Sequence, residues 1–343
     1  MRFEAQTFWL AKDADEPEQF QDAFELDAER GVAAIADGVS SAIFSGPWAR
    51  VLAHEVVAAP PDLEDSAAFQ DWLARGRTAW SSQIDVSRLT WYQRPKMVDG
   101  AMTTLLWIEL LPLQIGEDGL AKNYRLRSFA IGDTCLFHVR DGQTLSQFPL
   151  EQSSEFGLNP AVIASIDRKL DHLLAFNAAE TDCLPGELLV LCTDAIALWA
   201  YERAESGEPV AWEDYWNLDA EAWRDEIFSL RDASRMRFDD STLVLLRVIE
   251  ETPAPEPEPV AAPEFDTKAA LEEAPVGDEI ALDAALPVEE DELATSVEAM
   301  PEDVVAPHGL REAIESPVEM EEVAEPAEDP APVDESEPQT GLS

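Results

Sequence analysis

Four aspartates stand at the ends or starts of apolar runs, where carboxylates are well placed for metal-assisted chemistry. Asp37 closes Val32-Ala33-Ala34-Ile35-Ala36 and is followed by Gly38. Asp133 follows Phe129-Ala130-Ile131-Gly132, and Asp194 closes Leu188-Leu189-Val190-Leu191-Cys192-Thr193. Asp239 precedes Asp240-Ser241-Thr242-Leu243-Val244-Leu245-Leu246. Carboxylates fixed to strand ends from distant parts of a chain can converge at one edge of a sheet core. None of these motifs contains a cation, so such a cluster would repel itself unless metal ions bind it. A hard-cation enzyme site is therefore the leading expectation.

Each motif alone has a plainer reading. Asp-Gly after a strand is usually a turn, and Gly132-Asp133-Thr134 would pass as a hairpin turn. Asp194 would serve as an N-cap for the next helix. Asp239-Asp240-Ser241-Thr242 reads equally as a solvated loop ahead of an edge strand.

Positioning these residues requires a β-rich core. Alternation and turn signals predict strands over Phe3–Leu10, Phe20–Leu26, Val32–Ala36, Met102–Leu113, Tyr124–Ile131, Cys135–Val139, Thr144–Phe148, Leu170–Ala178, Leu188–Cys192 and Ser241–Val248. Pro47 near a first turn and Pro60-Pro61 as a stop frame a helix around Trp48–Val57. Further helices are expected over Asp65–Ile84, Ala195–Ala204 and Asp219–Leu230. Strands in hairpin-like succession with helical pairs inserted indicate an α+β fold.

Composition sets the outer limits. The chain has 343 residues and a formal net charge of −48. After Glu251 it turns to Pro, Glu, Asp, Ala and Val, with Phe265 its lone aromatic. Such a stretch buries too little apolar surface to offset chain entropy, so 251–343 is expected to be a disordered acidic tail behind a catalytic domain spanning 1–250. Cys135, Cys183 and Cys192 lack paired spacing and lie in or beside apolar runs, like buried thiols in a reducing compartment. No leader or long apolar span is evident, so a cytoplasmic location is expected. The acidity of both regions opposes nucleic acid and anionic membrane as partners.

The order of the motifs is far more specific than any one of them. It runs Gln21-Asp22-Ala23, Ala36-Asp37-Gly38, Gly100-Ala101-Met102-Thr103-Thr104, Ile131-Gly132-Asp133-Thr134 with Arg140-Asp141-Gly142, Thr193-Asp194-Ala195, then Asp239-Asp240-Ser241-Thr242. This succession resembles the type 2C metal-dependent serine/threonine protein phosphatases over roughly residues 3–249. The resemblance implies two stacked antiparallel sheets flanked by helical pairs, a four-layer αββα sandwich. It also implies hydrolysis of phosphoserine and phosphothreonine in proteins. Two Mn²⁺ or Mg²⁺ ions would lower the pKa of a bridging water, which attacks phosphorus in line.

Carried over residue by residue, Asp37 resembles the carboxylate that bridges both metals, and Gly38 the residue lending its backbone carbonyl. Asp194 and Asp239 resemble ligands of the first metal. Asp22 resembles the acidic outer-sphere residue of the second. Asp133 resembles the aspartate that helps hold a third, weak ion. Thr103 and Thr104 match small hydroxyl residues beneath the site and are read as packing.

Departures from the pattern concern the phosphate. Many members carry an Arg shortly before the first Asp motif; here Asp15-Glu16-Pro17-Glu18-Gln19-Phe20-Gln21 has none, and Lys12 is the nearest cation. Gln21 replaces a usual Glu, Val39 a His that some members use as general acid, and Ala195 a Gly. These changes favour an alternative reading, a catalytically weak adaptor or sensor that keeps the phosphatase fold. His54, His138, His172 and His308 show no metal-ligand spacing. Trp48, Trp72, Trp80, Trp199 and Trp223 are expected in the core. The expected partners are a phosphoprotein substrate and, through the tail, a basic partner such as the kinase whose products the enzyme reverses.

Overall fold

Val32-Ala33-Ala34-Ile35-Ala36 has no polar side chain, and every residue of the strand it forms is buried. A strand covered on both faces belongs in the middle of a layered structure. The computed structural model describes residues 1–157, 160–167, 174 and 176–251, and among them the elements follow the apolar pattern closely. In order they are β1 (Phe3–Leu10), β2 (Ala23–Asp27), β3 (Val32–Ala36), α1 (Ser45–Ala58), α2 (Ser66–Ser82), α3 (Gln93–Lys96), β4 (Met102–Thr103), β5 (Leu105–Ile115) and β6 (Ala121–Ile131). Then come β7 (Cys135–Arg140), β8 (Gln143–Phe148), β9 (Ile163–Ala164), β10 (Asn177–Cys183), β11 (Leu188–Cys192), α4 (Asp194–Glu205), α5 (Trp212–Tyr215), α6 (Ala220–Asp232) and β12 (Ser241–Val248).

Two five-stranded antiparallel sheets carry the fold, in the orders β1-β12-β11-β7-β8 and β10-β6-β5-β3-β2. A short pair, β4 with β9, lies outside both. The side chains sort into three cores. Phe3, Ile35, Leu106, Ile108, Leu189, Leu191, Val244 and Leu246 form one from residues of both sheets. A second joins β3 and β5 to α1 and α2 through Trp48, Leu52, Trp72, Leu73, Trp80 and Trp107. A third joins β1, β7, β11 and β12 to α4, α5 and α6 through Phe137, Trp199, Tyr201, Trp212 and Trp223. All five helical tryptophans named from the sequence are buried. Emptying one such site, as in Trp48→Ala, would cost on the order of 3–5 kcal/mol.

Capping follows the local sequence. The Asp65 carboxylate accepts from the backbone N–H groups of Ala67 and Ala68 at the start of α2, and Asp219 accepts from Ala222 at the start of α6. Two expected strands are shifted. The one expected over Phe20–Leu26 begins only at Ala23, because the Gln21 N–H is taken by the Asp240 carboxylate instead of a ladder. The one expected over Leu170–Ala178 is found over Asn177–Cys183, an edge strand so polar and exposed that alternation gave it no signal. Residues 170–173 and 175 of that expectation, His172, His308 and the whole stretch 252–343 lie outside the described residues.

Candidate metal centre

Strand register alone gathers the aspartates. Ala23 pairs with Ala36, so one step further along that ladder sets Asp22 beside Asp37. Ile35 pairs with Leu106, and continuing sets Asp37 opposite Thr104 and Gly38 opposite Thr103, where a bridge forms. In the other sheet Cys192 pairs with Cys135, which carries Asp194 to Asp133 two steps on. Leu10 pairs with Ser241, which carries Lys12 to Asp239. Four ladders thus end on six residues that could do chemistry.

The backbone around Asp37 is held from below. Its N–H donates to Thr104 Oγ1 at 3.1 Å, and its carbonyl accepts from Thr103 Oγ1 at 2.7 Å and from the Thr104 N–H at 2.9 Å. The Thr104 hydroxyl is shared with that of Thr134 at 2.6 Å. These threonines do more than pack: they fix where the Asp37 carboxylate leaves the strand. Two glycines let the loops close this tightly. A Cβ on Gly38 would sit 2.6 Å from the Gln21 carbonyl oxygen, and one on Gly132 would sit 2.5 Å from Thr104 Cγ2 at a φ of +103°.

Asp22 ties the two sheets together. Its Oδ2 accepts from Thr193 Oγ1 at 3.0 Å, just past the end of β11, and from Thr242 Oγ1 at 2.8 Å on β12, both belonging to the other half of the fold. The two threonines are themselves joined, since the Thr242 N–H donates to Thr193 Oγ1 at 3.0 Å. Asp240, which the motif reading passed over in favour of Asp239, accepts from the N–H groups of Lys12 and Gln21 at 2.7 Å each. It pins both ends of the acidic loop between them. Arg231 on α6 braces the same edge, donating to the carbonyls of Ala11 and Asp239.

Asp194 is not a capping residue. Thr193 is the N-cap of α4, and Asp194 is its first helical residue. The Asp194 Oδ2 instead accepts from Arg237 Nη1 at 2.9 Å. Lys12 Nζ lies 3.6 Å from Asp239 Oδ1 and donates to Ser40 Oγ at 3.1 Å. The absence of cations from the motifs therefore does not extend to the folded site. Arg237 stands two residues before Asp239, and Lys12 is brought in by a ladder that joins the first strand to the last. The adjacency of Arg237 to the Asp239 motif was a usable signal; the arrival of Lys12 required the pairing.

The remaining electrostatics fit a divalent cation. Asp22 and Asp37 are held well above the ordinary carboxylate pKa, first by burial and then by neighbouring carboxylates: Asp240 for Asp22, and Asp22, Asp194, Asp133 and Asp239 for Asp37. Burial and Asp194 push Asp133 up to about 6. Asp194 is raised by burial and Asp239 despite Arg237. Asp22 Oδ1 and Asp194 Oδ1 are buried without a hydrogen-bond partner, an unfavourable arrangement that a metal or its water would relieve. An all-oxygen donor set of this kind suits Mg²⁺ or Mn²⁺.

Among the described residues, the one trio of His, Cys, Asp or Glu with ligand atoms within 4.8 Å of one another lies elsewhere: His138, Cys183 and Glu187. The aspartates are more widely spread than that. In the trio, Glu187 accepts from His138 Nε2 at 2.5 Å, from Arg140 Nε and from the Leu184 N–H. The guanidinium already neutralises Glu187, so this is a closed structural network. All three cysteines are free and buried, and His54 is exposed away from any such group.

No protein-family model and no curated protein matches the chain. The chain is similar in structure to solved serine/threonine phosphatases. The photosystem II phosphatase PBCP aligns at 16% identity and a TM-score of 0.44, over 72% of this chain and 98% of that one. The Mycobacterium tuberculosis serine/threonine phosphatase PstP aligns at 15% identity and 0.43, over 73% and 100%. The PstP catalytic domain in complex with two manganese ions aligns at 17% and 0.43, over 72% and 99%. Among the described residues no helix is long and apolar enough to cross a membrane.

Proposed function

We propose that residues 1–250 form a metal-dependent serine/threonine protein phosphatase domain with αββα layering, followed by a disordered acidic tail, and that it acts in the cytoplasm. The observation that carries this reading is the buried carboxylate group at the ladder ends, with two oxygens left unpartnered inside it. Asp37, shared between the two halves of the group, would hold both metals together with the Gly38 carbonyl. Asp194 and Asp239 would hold the first, Asp22 would act on the second from the outer sphere, and Asp133 would help hold a third, weak ion. When bound, Mn²⁺ or Mg²⁺ supplies charge stabilisation at phosphorus and a water of lowered pKa. The protein's own part is positional. Thr103 and Thr104 fix Asp37, while Thr193 and Thr242 orient Asp22. Lys12 and Arg237 are the cations at hand to meet a phosphate in the absence of the usual Arg. Val39 offers no proton, so the leaving oxygen takes its proton from water.

The test is turnover of p-nitrophenyl phosphate and of a phosphothreonine peptide by the full chain. Hydrolysis is expected with added Mn²⁺ or Mg²⁺ alone, and Asp37→Asn and Asp239→Asn should each abolish it. Full activity in EDTA, or in both variants, would sink the mechanism. One observation favours the adaptor reading instead: Arg237 and Lys12 already partner two of the carboxylates. Calorimetry separates the two readings, since an adaptor of this kind would bind no Mn²⁺ at millimolar concentration.

A further inference from the structure

The segment between α2 and β4 differs in charge from the rest of the chain. Residues 85–99 contain Arg88, Arg94 and Lys96 against Asp85 and Asp99, in a protein with a formal net charge of −48. The same segment leaves unusual apolar surface in water. Trp91 is 83% exposed and Val98 76%, with Val86 and Tyr92 also exposed. Trp91 and Tyr92 pack edge to face with ring centroids 5.9 Å apart.

This exposure does not come from a loose loop. Leu89 is buried, Met97 packs against the core that joins β3 and β5 to α1 and α2, and Arg94 Nε donates to the Leu89 carbonyl at 3.2 Å. The anchored segment holds its aromatic pair outward. It also borders the candidate site. Lys96 Nζ donates to the Ser41 carbonyl at 3.3 Å, and Ser41 lies in the loop that leaves Asp37 and Gly38, beside the Ser40 that Lys12 holds.

We propose that residues 85–99 form a docking surface for an acidic, apolar-containing segment of the phosphoprotein substrate. The inference rests on the phosphatase reading of the adjoining site. Charge complementarity selects the occupant. Arg88 ion-pairs with Asp85 at the surface, but among the described residues no carboxylate pairs with Arg94 or Lys96, whose hydrogen bonds go to backbone carbonyls. Trp, Tyr and Arg are the side chains enriched among the few residues that carry most of the binding energy in interfaces. The net charge of the whole chain opposes a long polyanion such as nucleic acid, whereas a few carboxylates on a peptide are screened beyond about 8 Å at physiological salt. An extended peptide advances about 3.3 Å per residue, so carboxylates a few residues from the phosphothreonine would reach the segment.

The experiment uses the full chain, with Mn²⁺, and three peptides sharing one phosphothreonine core with Glu/Leu, Gln/Leu or Lys/Leu flanks. Wild type should prefer the Glu/Leu peptide over the Gln/Leu peptide by about tenfold in kcat/KM, through KM, with the preference shrinking as salt rises. The double variant Trp91→Ala, Arg94→Glu should lose the preference while its p-nitrophenyl phosphate turnover stays within about twofold of wild type. Anisotropy of a labelled, unphosphorylated Glu/Leu peptide should show the same loss and needs no turnover. Equal kcat/KM for the acidic and neutral peptides, or a preference that survives in the variant, would overturn the proposal. So would flotation with anionic vesicles, a dimer that the variant dissociates, or tighter binding of a peptide copying residues 272–292, each of which assigns the surface to another occupant. If no substrate is turned over at all, the phosphatase reading falls, and the anisotropy still decides whether the surface binds acidic peptide.

Discussion

Arg237 donates to Asp194 at 2.9 Å while the other oxygen of that carboxylate is buried and unpartnered. Asp194 thus faces a cation on one side and an unfilled acceptor on the other. A divalent ion entering the carboxylate group would compete with the guanidinium for it. The pair is about one-third exposed on the Arg side, so its net worth is modest, about 1 kcal/mol after solvent screening. Arg237→Gln is therefore expected to tighten Mn²⁺ binding by about fivefold in calorimetry while weakening phosphate as a product inhibitor. Looser metal binding in the variant would show that Arg237 positions Asp194 for the metal instead of competing for it.

The carboxylate group also sets a pH dependence. Asp133 has a folded pKa of about 6, above its ordinary 3.8, so its favourable contribution is complete below 3.8 and is lost as pH rises through 6. That loss is on the order of 3 kcal/mol. Asp22 and Asp37 are shifted in the same direction and extend the loss to higher pH. Glu187 has the opposite sign. Although burial raises its pKa, Arg140, the Leu184 N–H and His138 bring it below 4.5, so its contribution is lost only under more acidic conditions. In EDTA the melting temperature should fall as pH rises from about 4 through about 6 and go on falling above that, and saturating Mn²⁺ should flatten or reverse that slope. A flat profile in EDTA would contradict the burial of these carboxylates.

Much of this fold is written in local pattern. Val32–Ala36 is an uninterrupted apolar strand, Leu243–Leu246 is the apolar run of the last strand, and the helix over Ser66–Ser82 has an Asp at its cap and aromatic residues on one face. Asp37, Asp133, Asp194 and Asp239 stood out because each sits where such a run stops or begins. Asp22 stood out only by family resemblance, since no strong apolar run precedes it. The roles of Lys12, Arg231 and Asp240 at the site are not legible in the sequence for a different reason, whereas Arg237 is signalled by its place two residues before Asp239. What the first three do depends on which strands pair: Lys12 meets Asp239 only because β1 lies against β12. The edge strand Asn177–Cys183 lies past the expected Leu170–Ala178 because an exposed, polar strand carries almost no hydrophobic signal.

Replacing the central carboxylate should separate stability from function. In the metal-free protein the half-buried Asp37 carboxyl faces Asp22, Asp194, Asp133 and Asp239, whose charges oppose its ionisation. Asp37→Asn keeps the shape, removes the repulsion and should raise stability in EDTA by about 1–3 kcal/mol, a shift of a few degrees in Tm. The same variant should lose both Mn²⁺-induced stabilisation and phosphatase turnover. A variant that melts lower than wild type in EDTA would mean that the Asp37 carboxylate makes a favourable contact inside the protein.

The support beneath Asp37 makes a sharper demand on geometry. Thr104 Oγ1 accepts from the Asp37 N–H and is hydrogen-bonded to Thr134 Oγ1, and all three residues lie where two ladders end. Thr104→Val preserves volume but leaves one buried N–H and one buried hydroxyl without their partner, at a cost of about 1–3 kcal/mol each at most. Thr104→Ser retains the hydroxyl and should recover most of that loss in a denaturant melt. If Thr103 and Thr104 place the Asp37 carboxylate, Thr104→Val should also weaken Mn²⁺ affinity measured by calorimetry at a temperature where the variant remains folded. Should Thr104→Val lower stability and leave metal affinity untouched, the threonine would be a core residue, and the position of Asp37 would be set by the Gly38 turn and its close approach to the Gln21 carbonyl.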